Sequence, residues 1–351
     1  MRRNVASCYG LVITVASEEH YRPIRTRAVR HPMNRDRDVA GHRHTIHRHQ
    51  QQLAWDNAVA PAQRVAPGDV VVFKDIDATC GQITAQSTSE VLTRLDFARI
   101  NPISGPIYVE GAQPGDSLKV TLLGFEPSGW AWTAIIPDFG LLAADFREPC
   151  LHLWSYDKSF RQPAMFGSFA RVPLKPFCGT IGVAPAEKGA YSTIPPHSAG
   201  GNMDIRDLAV GVDLYLPVRV PGALFSLGDT HAAQGDGEVC GTAIESPMSV
   251  TARIDLVKGA NLKYPRFVSH TPVSRHLDER GYDVTTGIEP DLMTAAQNAV
   301  RGMIDLLTAQ HHMPAEHAYM LCSVCGDLRI SEIVDRPNWV VSCYLPRMIF
   351  D

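Results

Sequence analysis

The sequence predicts a mostly β protein of packed antiparallel sheets, sandwich-like, with a helical C-terminal portion, so that the class is α+β overall. From residue 45 onward, short β-branched runs alternate with turns rich in glycine, proline and aspartate. Two of these runs follow the same Pro-Gly-Asp turn. A single long segment near the C-terminus instead carries apolar residues every three to four positions, which is the spacing of a helix.

The composition is typical of a globular protein that binds a small ligand. The chain has 351 residues, of which 45% are apolar and 20% charged, and its net charge is -4. This length is sufficient for a large buried core. A protein that binds nucleic acid needs a basic face, which would raise the isoelectric point well above 6.4. We therefore expect no nucleic acid partner and a small, uncharged ligand.

Residues 1–44 differ from the rest of the chain. They are rich in arginine and have no period of two or 3.6 residues, which predicts a basic, mobile N-terminal arm. Met33 offers an alternative start. Four histidines near its end suggest metal binding, although a solvated basic lead-in to the first strand is the better explanation: His42, His44, His47 and His49. Residues 45–351 are predicted to form one domain.

The strands are predicted from turn residues and alternation. QRVAPGDVVVFKDID, residues 63–77, and YVEGAQPGDSLKVTLLGF, residues 108–125, each lead from the turn into an alternating run. Further strands are predicted within residues 214–229, 238–259 and 338–346. Short strands at this spacing favour antiparallel sheets.

Two helices are predicted near the C-terminus. Residues 290–312 begin with Pro290 and Asp291, as helices often do, and Pro314 prevents continuation. A shorter helix is predicted over residues 315–324. The longer helix has one apolar stripe, formed by Leu292, Ala296, Ala299, Met303 and Leu306.

The cysteines and the hydropathy together predict a cytoplasmic protein. The eight cysteines are widely dispersed, which is typical of reduced thiols in a chain whose core needs no disulfides. No stretch approaches the roughly 18 to 20 apolar residues of a membrane span. We expect no membrane partner, and a homo-oligomer, either dimer or tetramer.

The stretch FSLGDTHAAQGDGE, residues 225–238, holds several candidate ligands beside glycines. If it is the end of a strand, Asp229 and His231 lie two residues apart and project to the same side. Imidazole nitrogen and carboxylate oxygen are both zinc ligands. An isolated Asp-x-His motif is more often a turn cap beside a solvated histidine. Asp236 and Glu238 are also explained by a turn.

A second cluster strengthens the metal interpretation. HSAGGNMDIRDL, residues 197–208, again places His197, Asn202 and Asp204 beside paired glycines. Glu245 follows an apolar run, where a carboxylate is costly to bury unless it is paired or its pKa is raised. It is therefore a candidate general base.

These motifs resemble the acetamidase/formamidase family. The likeness is carried by GGNMD and GDTHAAQGDGE at this spacing, and by the upstream and downstream stretches NPISGPIYVEGAQPGDSLKV, PFCGTIGVAP and DLRISEIVDRPNWVVSCYLP. It covers residues 45–350. The resemblance implies a β-rich fold, hydrolysis of small aliphatic amides such as formamide or acetamide to carboxylate and ammonia, and a divalent metal, with zinc as the first choice.

Residue chemistry within these motifs assigns the roles. Metal ligands are expected to be Asp204, Asp229 and His231, with His197 in reserve. Glu245 or Glu238 would move the proton. Asn202 and glycine backbone N–H groups would stabilise the oxyanion, and the candidate residues for binding substrate are Gln234, Gly201 and Gly228.

Three alternatives remain open at this stage. Cys178 or Cys240 could act as a nucleophile, although strand alternation would turn Cys240 away from Glu245. The substrate could be a small lactam. The protein could also be a non-catalytic β-sandwich that binds a metal or small ligand, but a bare binding site has no need for an unpaired carboxylate such as Glu245.

Overall fold

The computed structural model describes residues 41–270, 280–334 and 336–350. Within these residues it contains short and long strands, two α-helices and three 3-10 helices. The first strands are β1 (Arg43–Ile46), β2 (Gln51–Gln52), β3 (Ala54–Trp55), β4 (Gln63–Val65), β5 (Val70–Ile76), β6 (Ile103–Val109), β7 (Ser117–Pro127), β8 (Trp130–Ile135), β9 (Cys150–Ser155), β10 (Ala164–Phe166) and β11 (Ala170–Val172). The remaining strands are β12 (Phe177–Val183), β13 (Tyr191–Ser192), β14 (Gly200–Asn202), β15 (Val212–Pro217), β16 (Phe225–His231), β17 (Met248–Val257), β18 (Arg266–Ser269), β19 (Tyr282–Glu289), β20 (Asp327–Glu332) and β21 (Trp339–Pro346). The helices are α1 (Leu292–His311) and α2 (Ala315–Cys325), and the 3-10 helices are Ser89–Arg94, Phe97–Arg99 and Arg347–Phe350.

Two large sheets form a sandwich, which confirms the predicted class. The first has the strand order β1-β5-β17-β7-β15-β18, and the second has the order β14-β12-β16-β6-β2, with β4 also paired to β6. Pairing is antiparallel except at β1 with β5 and β4 with β6. The inner faces of the sheets share one apolar core, in which Phe73 of β5 meets Phe225 of β16 edge to face at 6.0 Å between ring centroids.

The two Pro-Gly-Asp turns start inner strands of the same sheet, rather than its edges. Gly68 and Gly115 have φ of 96° and 92°, a conformation that favours glycine. Each following aspartate is buried and accepts a backbone N–H within its own turn: Asp69 from Ala66 at 2.9 Å, and Asp116 from Gln113 at 2.9 Å. These carboxylates hold the turns from which β5 and β7 begin.

The C-terminal helices match the predicted segments. Asp291 caps α1, since its side chain accepts the Thr294 backbone N–H at 2.8 Å, and α1 ends before His312, which is left-handed. Pro314 caps the start of α2. The face of α1 packs on the three-stranded sheet β19-β21-β20. Contact is closest at Gly287, where an added Cβ would lie 1.9 Å from the Ala295 carbonyl oxygen.

The strand predicted within residues 238–259 is only partly present. β17 begins at Met248, and the chain from the end of β16 to β17 is irregular. The cause is backbone conformation, since Gly237, Glu238 and Gly241 have φ of 105°, 44° and 86°, which an extended strand cannot accommodate. Glu245 and Cys240 therefore lie on a loop, and strand alternation does not relate them.

The predicted N-terminal arm lies almost entirely outside the described residues, so its mobility stays a prediction. Of the four histidines named near its end, His42 and His44 lie beside the buried Asp69. His44 Nε2 is 2.8 Å from Asp69 Oδ2. Seven cysteines lie in the described part of the chain, and all are free thiols. None of the described helices is long and apolar enough to cross a membrane.

Candidate active site

Strand β16 carries the two residues at the centre of the site. It lies between β12 and β6, and all of its residues are buried. His231 Nε2 is 3.2 Å from Asp229 Oδ1. Asp229 has φ of 51°, which non-glycine residues adopt rarely and which recurs at functional sites. The structure thus brings the Asp-x-His pair together at the end of this strand.

Glu245 joins this pair from the irregular loop. Its Oε2 is 3.1 Å from His231 Nε2, and its Oε1 accepts the Ala243 backbone N–H at 2.9 Å. Its backbone is fixed on both sides by an exchange of hydrogen bonds with Trp132, at 2.9 and 2.8 Å. The carboxylate is therefore held in one orientation, with one oxygen bonded to the chain and the other facing the histidine.

Gly179 of β12 makes room for the cluster. A Cβ built there would lie 2.4 Å from Asp204 Oδ1, 2.8 Å from Asp229 Oδ2 and 2.8 Å from His231 Cε1. Asp204 follows β14 and takes φ of 49°, which turns the chain beside its neighbour β12. Three side chains from two segments thus converge on one glycine of the intervening strand.

Three atoms of this cluster are buried without a hydrogen bond of acceptable geometry. They are His231 Nε2, Glu245 Oε2 and Asp204 Oδ1. The short distances from His231 to the carboxylates bring these atoms close without forming aligned hydrogen bonds. An unsatisfied buried polar atom costs about 1–3 kcal/mol, so a ligand that bonds to several of them at once is the physical explanation that fits.

The donor set suits a divalent cation. One ligand atom each from Asp204, Asp229 and His231 lie within 4.8 Å of one another, and the same is true of His231, Glu238 and Glu245. Imidazole nitrogen with carboxylate oxygen is a zinc-type donor set. Among the described residues, His231 is the only ion-pair partner of three carboxylates, those of Asp204, Asp229 and Glu245. The cluster therefore has an excess of negative charge for a cation to neutralise.

Burial shifts the pKa values in the site. It raises the pKa of Asp204 to about 6 and that of Asp229 to about 6. Burial raises the pKa of Glu238 well above its ordinary value, and the neighbouring Asp204 carboxylate adds to the shift. For His231, burial acts to lower the pKa, but the Glu245 and Asp229 carboxylates outweigh it and raise the pKa. Such perturbed groups cluster at functional sites.

Gln234 and Glu238 also reach the cluster. The Gln234 side chain lies between two site residues, since its Oε1 is 3.0 Å from His231 Nδ1 and its Nε2 donates to the Asp204 carbonyl oxygen at 2.8 Å. Both ends of its amide are therefore engaged within the protein. Glu238, predicted as a proton carrier or a turn residue, lies in a turn and close to His231 and Glu245.

Asn202 lines the cavity above the cluster. Its Oδ1 accepts a hydrogen bond from Thr180 Oγ1 at 2.5 Å, which fixes the orientation of the amide.

Three residues near the site had no signal in the sequence. Thr180 orients Asn202, Trp132 holds Glu245, and Asn101 Nδ2 donates to Asp229 Oδ2 at 3.5 Å. The stretches NPISG and PFCGTIG include Asn101 and Thr180, but nothing local marks them as site residues.

The structure does not group His197, Gly201 or Gly228 with the cluster. The His197 ring stacks edge-on against Trp55 at 5.1 Å and receives the Ala199 backbone N–H at 3.2 Å on Nδ1. Gly201 packs against the His197 ring, and a Cβ there would lie 2.9 Å from it. Gly228 faces the backbone of β6, with the Pro102 carbonyl oxygen 2.5 Å from its Cβ position. Close packing explains both glycines.

Cys178 and Cys240, the two candidate nucleophiles, do not have the surroundings of a reactive thiol. Cys178 is fully buried, and burial raises its pKa far above the ordinary value. Cys240 is buried and its Sγ lies 3.5 Å from the Ala134 and Thr242 carbonyl oxygens, and burial raises its pKa as well. A nucleophilic cysteine needs a lowered pKa. Both residues therefore serve packing.

The sequence profile of the acetamidase/formamidase family matches residues 38–190 and 184–351. The chain belongs to the acetamidase/formamidase family. It is 26% identical to the formamidase of Methylophilus methylotrophus, over 85% of this chain and 88% of that protein. It is 29% identical to the acetamidase of Mycolicibacterium smegmatis, over 66% of this chain and 69% of that protein.

Two solved structures of similar proteins share the fold. A γ-lactamase from Delftia acidovorans superimposes with a TM-score of 0.79 at 26% identity, covering 86% of this chain and 90% of that one. An acetamidase from Bacillus halodurans gives a TM-score of 0.61 at 31% identity, covering 86% and 96%. Family membership confirms the predicted enzyme class, an amidase that acts on the carbon–nitrogen bond of linear amides, and disfavours a purely binding protein.

Proposed function

We propose that this amidase is metal-dependent and hydrolyses small neutral amides, formamide and acetamide among them, to the carboxylate and ammonia. The observation that carries the proposal is the set of three unsatisfied buried atoms, His231 Nε2, Glu245 Oε2 and Asp204 Oδ1, in one charged cluster. Family membership supports the reaction, and the donor set supports the metal.

Asp204, Asp229 and His231 would hold the ion, and zinc accepts this mixture of nitrogen and oxygen ligands. When bound, it would lower the pKa of a coordinated water toward about 7 and polarise the amide carbonyl. Resonance makes an amide carbonyl resistant to neutral water, so both effects address the difficulty of the reaction.

Glu245 is the proposed proton carrier. Ala243 holds its Oε1 at 2.9 Å, which leaves Oε2 to take a proton from the attacking water and deliver it to the amide nitrogen. The protonated nitrogen leaves as ammonia, which departs far more readily than an amide anion. Glu238, which is close to Glu245 in the same cluster, is the second candidate for this transfer.

The remaining side chains position the reacting groups. Asn202 lies on the cavity wall, where Thr180 orients it, and its amide N–H would donate to the oxygen of the tetrahedral intermediate. Gln234 holds the His231 imidazole by Nδ1 and so directs Nε2 into the cluster. Trp132 fixes Glu245 through two backbone hydrogen bonds and lines the cavity beside it.

A small cyclic amide is the second candidate substrate. The similarity to a γ-lactamase, with a TM-score of 0.79, favours it, since a lactam presents the same carbon–nitrogen bond to the same groups. The difference between the two candidates lies in the leaving group, which is free ammonia for a linear amide and a tethered amine for a lactam.

Ammonia release tests the proposal. Zinc-loaded protein is expected to release ammonia from at least one of formamide, acetamide and propionamide, and to lose that activity after chelation. Ring opening of 2-pyrrolidinone, measured by the formation of its amino acid product, tests the second candidate substrate. Full activity in chelated protein would refute the metal dependence. Absence of turnover for every amide and lactam would refute the proposed amidase function.

A further inference from the structure

An apolar cavity opens from the carboxylate cluster toward solvent. Asp229, Glu238 and Glu245 line it together with Asn202. Its apolar wall comes from three separate segments: Leu95, Phe97 and Ile100, then Ile136 and Phe139, then Ile194. Thr79, Asn101 and Thr242 add three uncharged polar side chains. No lysine, arginine or histidine lines the cavity among the described residues. Most of the wall therefore offers contact to hydrocarbon, and no cationic side chain along it can pair with an anion.

The exposed fractions of the lining residues show which end of the cavity faces solvent. Glu245 and Asp229 are 5% and 4% exposed, and Ile136 is 7% exposed, whereas Phe139 and Phe97 are 39% and 49% exposed. The acids thus lie at the inner end and the two phenylalanines at the mouth. A substrate whose amide carbon reaches the acids must direct its acyl chain along the apolar wall.

The two phenylalanines are held in place by their own segments. Phe97 starts the 3-10 helix Phe97–Arg99, which Asp96 caps by accepting the Ala98 backbone N–H at 3.1 Å. Phe139 lies over Gly241, where an added Cβ would be 2.5 Å from its ring. Two exposed aromatic rings that line the same cavity offer apolar contact surface to a ligand that enters it.

The size of the cavity sets the scale of the ligand. Its volume is about 70 Å³, and a water-sized group needs about 10–15 Å³ on this measure, so roughly five to seven such groups fit. Formamide has three non-hydrogen atoms and acetamide has four. The cavity is therefore larger than either amide requires.

On these grounds we propose that the amidase prefers neutral amides with an apolar acyl chain of about three to five carbons, and that Phe97 and Phe139 determine this preference. The inference rests on the proposed function, because it takes the carboxylate cluster as the reaction centre. Burying one methylene contributes about fourfold to kcat/KM when the contact is retained in the transition state. An anionic amide of the same length finds no lysine, arginine or histidine along the wall to pair with its distal charge, so we expect it to be a poorer substrate than the neutral amide.

The test is a chain-length series. Ammonia release is measured for formamide, acetamide, propionamide, butyramide and pentanamide, with succinamate as the anionic comparison. We expect kcat/KM to rise from formamide to butyramide or pentanamide by at least tenfold, and succinamate to be the poorest of the longer amides. A value that falls steadily beyond acetamide would overturn the inference while leaving the proposed function intact, and absence of ammonia from every amide would instead refute that function.

Substitutions of the two phenylalanines test whether they determine the chain-length preference. Phe97→Ala and Phe139→Ala are each expected to lower the butyramide-to-formamide ratio of kcat/KM about three- to tenfold, chiefly through KM, and Phe97→Leu to restore most of it. Phe267→Ala is the matched control, since Phe267 is an exposed phenylalanine of β18 that does not line the cavity. An unchanged ratio in both alanine variants, or an equal fall in the control, would contradict the assignment.

Discussion

Two groups of buried carboxylates in this protein have opposite surroundings. Asp116, at the turn before β7, is bonded by Lys258 Nζ at 2.6 Å and by the Gly259 backbone N–H at 2.9 Å. Burial acts to raise its pKa, but these hydrogen bonds outweigh burial and lower the pKa. In the active site, the Asp229 and Glu245 carboxylates meet one another across a single histidine, and burial raises the pKa of Asp229 to about 6.

The difference shows how function can be separated from structure. A carboxylate that stabilises the fold has its hydrogen bonds completed by the chain, as Asp69, Asp116 and Asp213 do. Asp204 and Glu245, to which we assign roles in catalysis, each have instead a buried oxygen without a hydrogen bond.

The largest effect is expected from Glu245→Gln. The amide keeps the shape of the side chain but cannot accept a proton, so turnover should fall about 10²- to 10⁴-fold while metal content is retained. The measurement is kcat for ammonia release alongside metal content. Glu126→Gln, in an exposed pair with Lys74 at 3.0 Å, is the control and should keep wild-type turnover. Unchanged turnover in Glu245→Gln would remove this residue from the mechanism.

Acidification should separate metal binding from folding. Asp204 and Asp229 must be ionised to bind a cation, and the pKa of each is raised to about 6. Below this pH protons compete with the metal, so affinity should fall by up to about 100-fold per pH unit as two carboxylates protonate. Zinc retained after gel filtration between pH 7 and pH 4.5, with circular dichroism as the measure of folding, tests this. Metal that stays bound at pH 4.5 would contradict the ligand assignment.

Gln234→Ala should have an intermediate effect. Loss of the amide releases His231 Nδ1 and frees the ring to turn, which typically costs 10- to 100-fold in metal affinity or activity. A competition titration with a zinc chelator measures it. Gln162→Ala, at an exposed position, serves as the matched control. Equal zinc affinity in both variants would show that Gln234 does not position the histidine.

The smallest effect concerns Asp213, on the structural side of the comparison. Burial acts to raise its pKa, but hydrogen bonds from Thr121, Lys119 and His270 outweigh burial and lower the pKa to about 2. Because this pKa is lower than in the unfolded chain, the contribution of Asp213 to stability is complete above about pH 4 and is lost as pH falls toward 2. We expect a loss on the order of 1 kcal/mol.

Urea unfolding of the wild type and of Asp213→Asn between pH 5 and pH 2.5 measures this loss. The free energy of unfolding should fall less steeply with acid in Asp213→Asn than in the wild type, because the amide does not titrate. Parallel curves for the two proteins would show that the ion pairs of Asp213 do not stabilise the fold.

The parts of the site that were predictable are those with local signals. Asp229 and His231 lie two residues apart at the end of an apolar strand, so their spacing marked them as a same-side pair. Glu245 ends an apolar run, where the cost of burying charge marked it. The longer helix, α1, was predicted because its sequence shows one apolar stripe and a cap at Asp291. All of these signals lie within a few residues of the feature that they predict.

The rest depends on contacts between distant segments. Gly179 matters because β12 lies beside β16 and β14, and nothing within PFCGTIG indicates which side chains will face it. Asn101 reaches Asp229 across 128 residues of sequence. The first part of the strand predicted within residues 238–259 is absent because Glu238 and Gly241 adopt positive φ, which the residue type of Glu238 does not predict.

Anomalous scattering from crystals of the zinc-loaded protein tests the central claim most directly. The account predicts one zinc peak per chain within bonding distance of His231 and of the Asp204 and Asp229 carboxylates, with Glu245 beside it. A catalytically active crystal with no peak at this cluster, or with zinc bound only elsewhere, would contradict the claim that its unsatisfied atoms form the metal centre of the amidase.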